Sequence, residues 1–251
     1  MTRPRPPGGV VAVAVVGVGV LALPLAALLA RAPWSDARRV LASSATADAL
    51  RISLLAATAA ASLAVVLGVP LAYVIARRGW RVVRTLAMVP LVLPPVVGGV
   101  ALLSAFGRRG LVPTDLPFSF AGVVAAELFV ALPFVVVTVE AGLRGLDDRY
   151  EQVAAELGAG PWRAFRTITL PLALPSIAAG AALAWARALG EFGATVTFAG
   201  TFPGRTETLP SSVYLAMERE PGAAVLLSVL LLAISVLVLV ALRGRWLRVL
   251  R

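Results

Sequence analysis

The chain has 251 residues, 59% of them hydrophobic and 14% charged, with a mean hydropathy of +0.91 and a formal net charge of +10. That composition excludes an ordinary soluble protein and indicates a polytopic membrane protein. Every basic residue is arginine, and Lys, His and Cys are absent; this removes the lysine-bearing phosphate loop, the usual zinc sites, and thiol or imidazole nucleophiles, so any energy from ATP must enter through another chain.

Residues 1–9 form a Pro- and Gly-rich basic lead that is expected to be non-helical. The apolar run 10–30 follows Arg3 and Arg5 as a secretory signal would, yet it is long enough to span and is read as an uncleaved first helix. Residues 31–48 are expected to be a mixed-charge loop. Residues 49–76 form a second span, in which Ala56, Ala57, Ala59, Ala60 and Ala61 let neighbouring helices approach closely. Arg77, Arg78, Arg81 and Arg84 then cluster with no acid among them. A third span, roughly 82–106, is interrupted by Pro90, Pro94, Pro95 and Gly98-Gly99. Prolines free carbonyls that need another partner, so this helix is expected to be kinked and buried among others rather than facing lipid. After a loop at 107–117, a fourth span at 118–139 carries Glu127, expected near a membrane boundary, and is closed by Glu140.

A polar segment at about 144–170 separates the fourth and fifth spans. Residues 152–157 read as a short helix with Val153, Ala154 and Leu157 on one face, stopped at Gly158-Ala159-Gly160 because glycine takes the left-handed cap conformation without steric cost. Pro161 suits the first turn of a second short helix, on which Trp162, Phe165 and Ile168 make one apolar stripe. On these residues alone the segment is either a rigid docking knob or an ordinary interfacial helix pair.

The fifth apolar run, 170–199, is too long for one straight span, since about 30 residues rise about 45 Å as helix. Gly190-Glu191-Phe192-Gly193 is its natural break. Arg187 and Glu191 lie one helical turn apart inside the run. Ionisable groups at membrane depth mark a functional site, and with Gly190, Phe192 and Gly193 they are candidates for a translocation pathway or gate; the alternative is an ion pair that neutralises itself and fixes packing. A polar loop at 200–222 and a final span at 223–242 complete about six spans, with no soluble regulatory domain expected in a single domain covering 1–251.

Orientation follows from arginine. One side receives Arg3, Arg5, Arg77, Arg78, Arg81, Arg84, Arg144, Arg149, Arg163, Arg166, Arg243, Arg245, Arg248 and Arg251; the other receives Arg31, Arg38, Arg39, Arg108, Arg109, Arg205 and Arg219. Fourteen against seven places both termini and the polar segment in the cytoplasm. The positive charge is therefore a topology signal and implies no nucleic-acid partner.

The spacing at 152–171 resembles the EAA loop of ABC-importer permeases, which runs Glu-Ala-Ala, three residues, Gly, nine residues, Ile, one residue, Leu-Pro. Gly158, Ile168, Leu170 and Pro171 fall in register and Ala154 holds the second alanine position, while Gln152 and Val153 depart from the pattern and Glu151 falls one residue early. The resemblance implies an all-α type I ABC-importer permease fold and a loop that docks into a groove of an ATPase subunit, with Glu151, Gln152, Ala154, Ala155, Gly158, Pro161, Ile168, Leu170 and Pro171 as its coupling residues. A second resemblance is carried by Gly190-Glu191-Phe192-Gly193-Ala194, by Gly204-Arg205-Thr206-Glu207-Thr208-Leu209, by Pro90 to Gly99 and by Phe106 to Val112. These are similar to permeases of the molybdate/tungstate/sulfate group; residues 194–200 are closest to molybdate permeases, although Thr201 stands where an Asn is common.

The group implies a homodimer in the bacterial inner membrane, two ATPase subunits that bind the ATP and Mg, an extracytoplasmic oxyanion-binding protein, and no cofactor in this chain. Arg187 and the helix N-termini at the Gly190 break would favour a doubly charged oxyanion, whereas Glu191 would repel it and is better suited to holding Arg187 or a neighbouring helix. Two other classes compete. A membrane-embedded enzyme would need a catalytic cluster, for which only scattered Asp, Glu and Ser remain, and a secondary transporter often shows two similar halves, which are not found here.

Overall fold

The computed structural model describes residues 7–147 and 149–249; of the side chains beyond residue 238, only that of residue 240 is described. Arg3, Arg5 and Arg251, and the side chains of Arg243, Arg245 and Arg248, lie outside these. The regular structure of the described residues is helical: α1 Gly8–Ala30, α2 Ala37–Leu41, α3 Ser44–Arg78, α4 Arg81–Val92, α5 Pro95–Phe106, α6 Phe120–Arg144, α7 Arg149–Glu156, α8 Pro161–Ala164, α9 Leu170–Leu189, α10 Gly193–Ala199, α11 Leu209–Arg219 and α12 Pro221–Val249. A 3-10 turn, Trp34–Asp36, precedes α2, and a π-helical turn, Phe165–Thr169, joins α8 to α9.

Among the described residues, five stretches are long and apolar enough to cross a membrane: α1, α3, α6, the continuous Pro161–Leu189, and Pro221–Val238. The expected third span is instead a pair, α4 and α5, bent by 119° at Leu93-Pro94. Pro94 cannot continue α4 and pushes Leu93 into an extended conformation, while Pro95 opens α5 at a position where its missing N–H costs nothing. The expected kink is present; the expected burial is not found in α4. Among its described residues α4 buries none within this chain, and Val82, Leu86 and Val92 are 74%, 65% and 87% exposed. The loop expected at 31–48 is also corrected, since it holds α2 and the first turn of α3. Ser43 caps that turn by accepting the Thr46 N–H at 3.2 Å.

The core lies where α3, α6 and α9 meet. Ala56, Ala57, Ala60 and Ala64 of α3 are fully buried, and a Cβ added at Gly68 or at Gly180 would stand 3.0–3.2 Å from Val135, so α6 is gripped from both sides by glycines. With lipid outside instead of water, such close backbone approach is what holds helices together. Polar ties reinforce it: Trp185 Nε1 donates to Thr58 Oγ1 at 3.1 Å, and the Leu209 N–H donates to Ser53 Oγ at 2.7 Å.

Ion pairs show which helix ends lie together. Arg77 at the end of α3 reaches Glu151 of α7, and Arg84 at the start of α4 reaches Glu140 near the end of α6. The ends of α3 and α6 and the start of α4 therefore share one end of the bundle with the polar segment. From there α4 climbs beside α6, and α5 turns back across it, where Leu102 packs with Ala126 and Val130. Glu140 does not close the fourth span as expected: α6 continues to Arg144, and Glu140, 2% exposed, is held between Arg84 at 3.0 Å and Arg144 at 2.8 Å.

Candidate functional site

The polar segment folds around Gly158. The Ala159 N–H reaches the Ala154 carbonyl and the Gly158 N–H the Ala155 carbonyl, both at 2.9 Å, with Gly158 at φ +83°; this paired closure is the Schellman motif, and it ends α7. Pro161 opens α8 behind Gly160. The second half of the segment is not a separate short helix, because α8 runs through the π turn into α9, carrying Ile168, Leu170 and Pro171 in one helical path. The expected apolar face of α7 also divides. Ala154 is buried, whereas Val153 and Leu157 are 51% and 83% exposed, and with Tyr150 and Trp162 they make an outward apolar patch. Gln152 and Ala155 are exposed beside it. Glu151 points the other way, into its own chain.

The second candidate region is the break between α9 and α10. α9 stops at Leu189 and α10 starts at Gly193, as the length of the run required. Glu191, 1% exposed, pairs with Arg187 Nη2 through Oε2 at 2.5 Å and accepts the Ala194 N–H through Oε1 at 2.8 Å. It therefore caps α10 and neutralises Arg187 with the same carboxylate. The backbone donor expected to attract an oxyanion at this break is already occupied by Glu191. Gly193 is dictated by packing, since a Cβ there would stand 2.9 Å from Pro95 Cβ, and Phe192 meets Tyr214 with ring centroids 5.0 Å apart. Gly190 leaves α9 with φ −89° and needs no special conformation.

Glu127 lies inside α6, 1% exposed, with Oε2 unpartnered and within electrostatic reach of Glu191. Thr195 Oγ1 on α10 is likewise buried without a partner. In the sequence Glu127 stands alone in an apolar run, so no local signal points to Glu191. The Gly204 to Leu209 stretch builds a local turn and, through Leu209, the tie to Ser53 of α3. The Phe202 carbonyl accepts N–H groups from Arg205, Thr206 and Glu207, and Thr208 with Ser211 forms a capping box at the start of α11. Among the described residues no group of acidic side chains could hold a metal ion.

A bundle of long apolar helices with one sharply bent pair, a buried ion pair at a broken helix and a polar loop clasped at one end is the architecture of a multi-pass membrane protein. Residues 64–249 match the binding-protein-dependent transport system inner membrane component family, and the chain belongs to that family. It is 45% identical over 242 residues, 92% of each chain, to the molybdenum transport system permease protein ModB of Mycobacterium bovis. It is 46% identical over 155 residues, 61% of this chain and 60% of the other, to the molybdate/tungstate transport system permease protein WtpB of Thermococcus kodakarensis. A chain of a bacterial ABC transporter involved in import of the acidic polysaccharide alginate shares the fold at a TM-score of 0.72, covering 97% of this chain and 95% of that one at 15% identity. The protein is thus a multi-pass inner-membrane subunit of an ABC importer, which in general acts with an ATPase and a solute-binding protein.

Proposed function

We propose that this chain is the permease of an ATP-driven importer that carries molybdate from an extracytoplasmic binding protein into the cytoplasm. The observation that carries this is the 45% identity to a molybdenum permease across 92% of both chains. Two copies form the pathway, each docked to one ATPase subunit that binds ATP and Mg. α4 buries none of its described residues within this chain, which leaves its apolar face free to meet the second copy as well as lipid. Both termini and the loop at about 144–170 face the cytoplasm, and the apolar patch of Tyr150, Val153, Leu157 and Trp162 around Gly158 is the surface offered to the ATPase.

The electrostatics of the broken helix suit passage rather than storage. A doubly charged anion must enter and leave quickly, so a wall of strong unpaired positive charge would trap it. Arg187, 29% exposed and paired with Glu191, presents little net charge, which suits a gate. Tungstate is a second cargo, favoured by the similarity to a molybdate/tungstate permease.

The test is uptake of radiolabelled molybdate by proteoliposomes holding the permease, its ATPase and its binding protein, with tungstate and sulfate as competitors. Uptake that requires ATP and is displaced by tungstate but not by sulfate is expected. Sulfate uptake with no molybdate uptake would overturn the cargo, and ATP hydrolysis by the permease freed of other subunits would overturn the division of labour.

A further inference from the structure

The inward-facing side chain of α7 has a partner within its own chain. Glu151 Oε1 accepts from Arg77 Nη2 at 2.8 Å and from Thr169 Oγ1 at 2.5 Å. Arg77 lies in the last turn of α3, and Thr169, 1% exposed, is the last residue of the π turn. A single carboxylate oxygen therefore ties α3 to both halves of the loop. Side-chain exposures of 22% for Arg77 and 24% for Glu151 keep most water out, and hydrogen bonds to ionised groups are the strong, directional ones.

A second grip acts one turn back on α3. The Tyr73 ring meets Phe165, the first residue of the π turn, at 4.8 Å, and Phe165 stacks on the exposed Trp162 at 5.7 Å. π-helical turns recur at functional positions. Here the first residue of the turn meets α3 directly, through Tyr73, and the last is joined to it through Glu151 and Arg77. At its other end α3 accepts the Leu209 N–H through Ser53, so one helix touches both the loop and the opposite side of the bundle.

We propose that Arg77, Glu151 and Thr169 form a latch that sets the pose of the loop against α3, so that movement of the docked ATPase is passed to the bundle through α3. This rests on the permease reading. The three are positioning residues: they touch neither cargo nor nucleotide, and Glu151 acts by holding the loop instead of contacting the ATPase.

The test compares Arg77→Glu, Glu151→Arg, the double charge exchange, and Thr169→Val, which keeps both charges. In the permease alone in nanodiscs, chymotrypsin cleavage after Tyr150, Trp162 and Phe165 should accelerate in each single variant and return to the parental rate in the double exchange. In the full complex, molybdate taken up per ATP hydrolysed should fall by roughly fivefold in each single variant, with the ATPase still retained, and recover in the exchange. Unchanged cleavage and coupling in the single variants would overturn the latch. So would loss of the ATPase in Glu151→Arg but not in Arg77→Glu, since Glu151 would then contact the ATPase itself. A parental complex that moves no molybdate would overturn the cargo reading, while the cleavage series would still decide the latch.

Discussion

The chain interrupts its helices at Gly158 and again at Gly190–Gly193, and the two breaks are built from opposite materials. At Gly158 the break lies at an exposed loop: glycine supplies a left-handed residue, a Cβ there would meet nothing within 4 Å, and any spare backbone group can turn to water. At Gly190–Gly193 the break is enclosed. The freed Ala194 N–H is met by a carboxylate, the carboxylate is met by Arg187, and Gly193 is pressed against Pro95. A break in water needs only backbone freedom, whereas one inside a membrane bundle must satisfy every polar group from within the protein.

This contrast predicts a graded series. Glu191→Ala strikes the enclosed break hardest, because it leaves Arg187 unpaired and Ala194 uncapped; it should destabilise by about 2–4 kcal/mol, below the cost for a sealed pair because Arg187 is 29% exposed. Thermal unfolding in detergent should show the loss, and Arg187→Ala with Glu191→Ala together should lose less than Glu191→Ala alone. An equal loss would mean that the cap, not the pair, is what matters. Gly193→Ala forces Pro95 or the α5 backbone to move and should cost about 1–3 kcal/mol by the same assay. If it were neutral, the contact with α5 would not be tight.

At the open break, Gly158→Val should cost about 1–2 kcal/mol through φ alone. It should insert normally yet retain less ATPase on purification and transport poorly, and Gly158→Asn, which tolerates the left-handed region, should recover much of both. Parental ATPase retention in Gly158→Val would make this segment an ordinary interfacial turn.

The smallest effect belongs to an ion pair in water. Arg39 pairs with Glu220, and that hydrogen bond and charge hold the Glu220 carboxyl below its ordinary value and the Arg39 guanidinium above its own. A carboxylate lowered on folding lends stability above its unfolded pKa and loses it as pH falls through the folded one, so Glu220→Gln should match the parent in strong acid and fall slightly below it near neutrality. The difference should vanish in high salt. If it persisted there, this exposed pair would behave like the enclosed one.

What could be read from the sequence follows the same division. Glycine and proline mark breaks whatever surrounds them, so the stop at Gly158, the restart at Pro161 and the gap before Gly193 were legible from single letters. Depth and direction were not. An apolar run does not show which side of it the bundle covers, so the burial of Glu127 beside Glu191 was not legible, nor was the inward turn of Glu151, whose partner Arg77 lies 74 residues earlier. The proline-rich third span announced a kink, but 119° of bend and an unburied α4 depend on what α6 and α10 leave free.

α3 is longer than the hydrocarbon core of a bilayer is thick. At 35 residues it is a rod about 52 Å long, against roughly 30 Å of hydrocarbon. It must lean, or carry its ends beyond the acyl chains, and Arg77, Arg78 and the Tyr73 hydroxyl are the groups that tolerate headgroup depth. The thickness of the surrounding lipid therefore bears on the tilt of the helix that holds the loop.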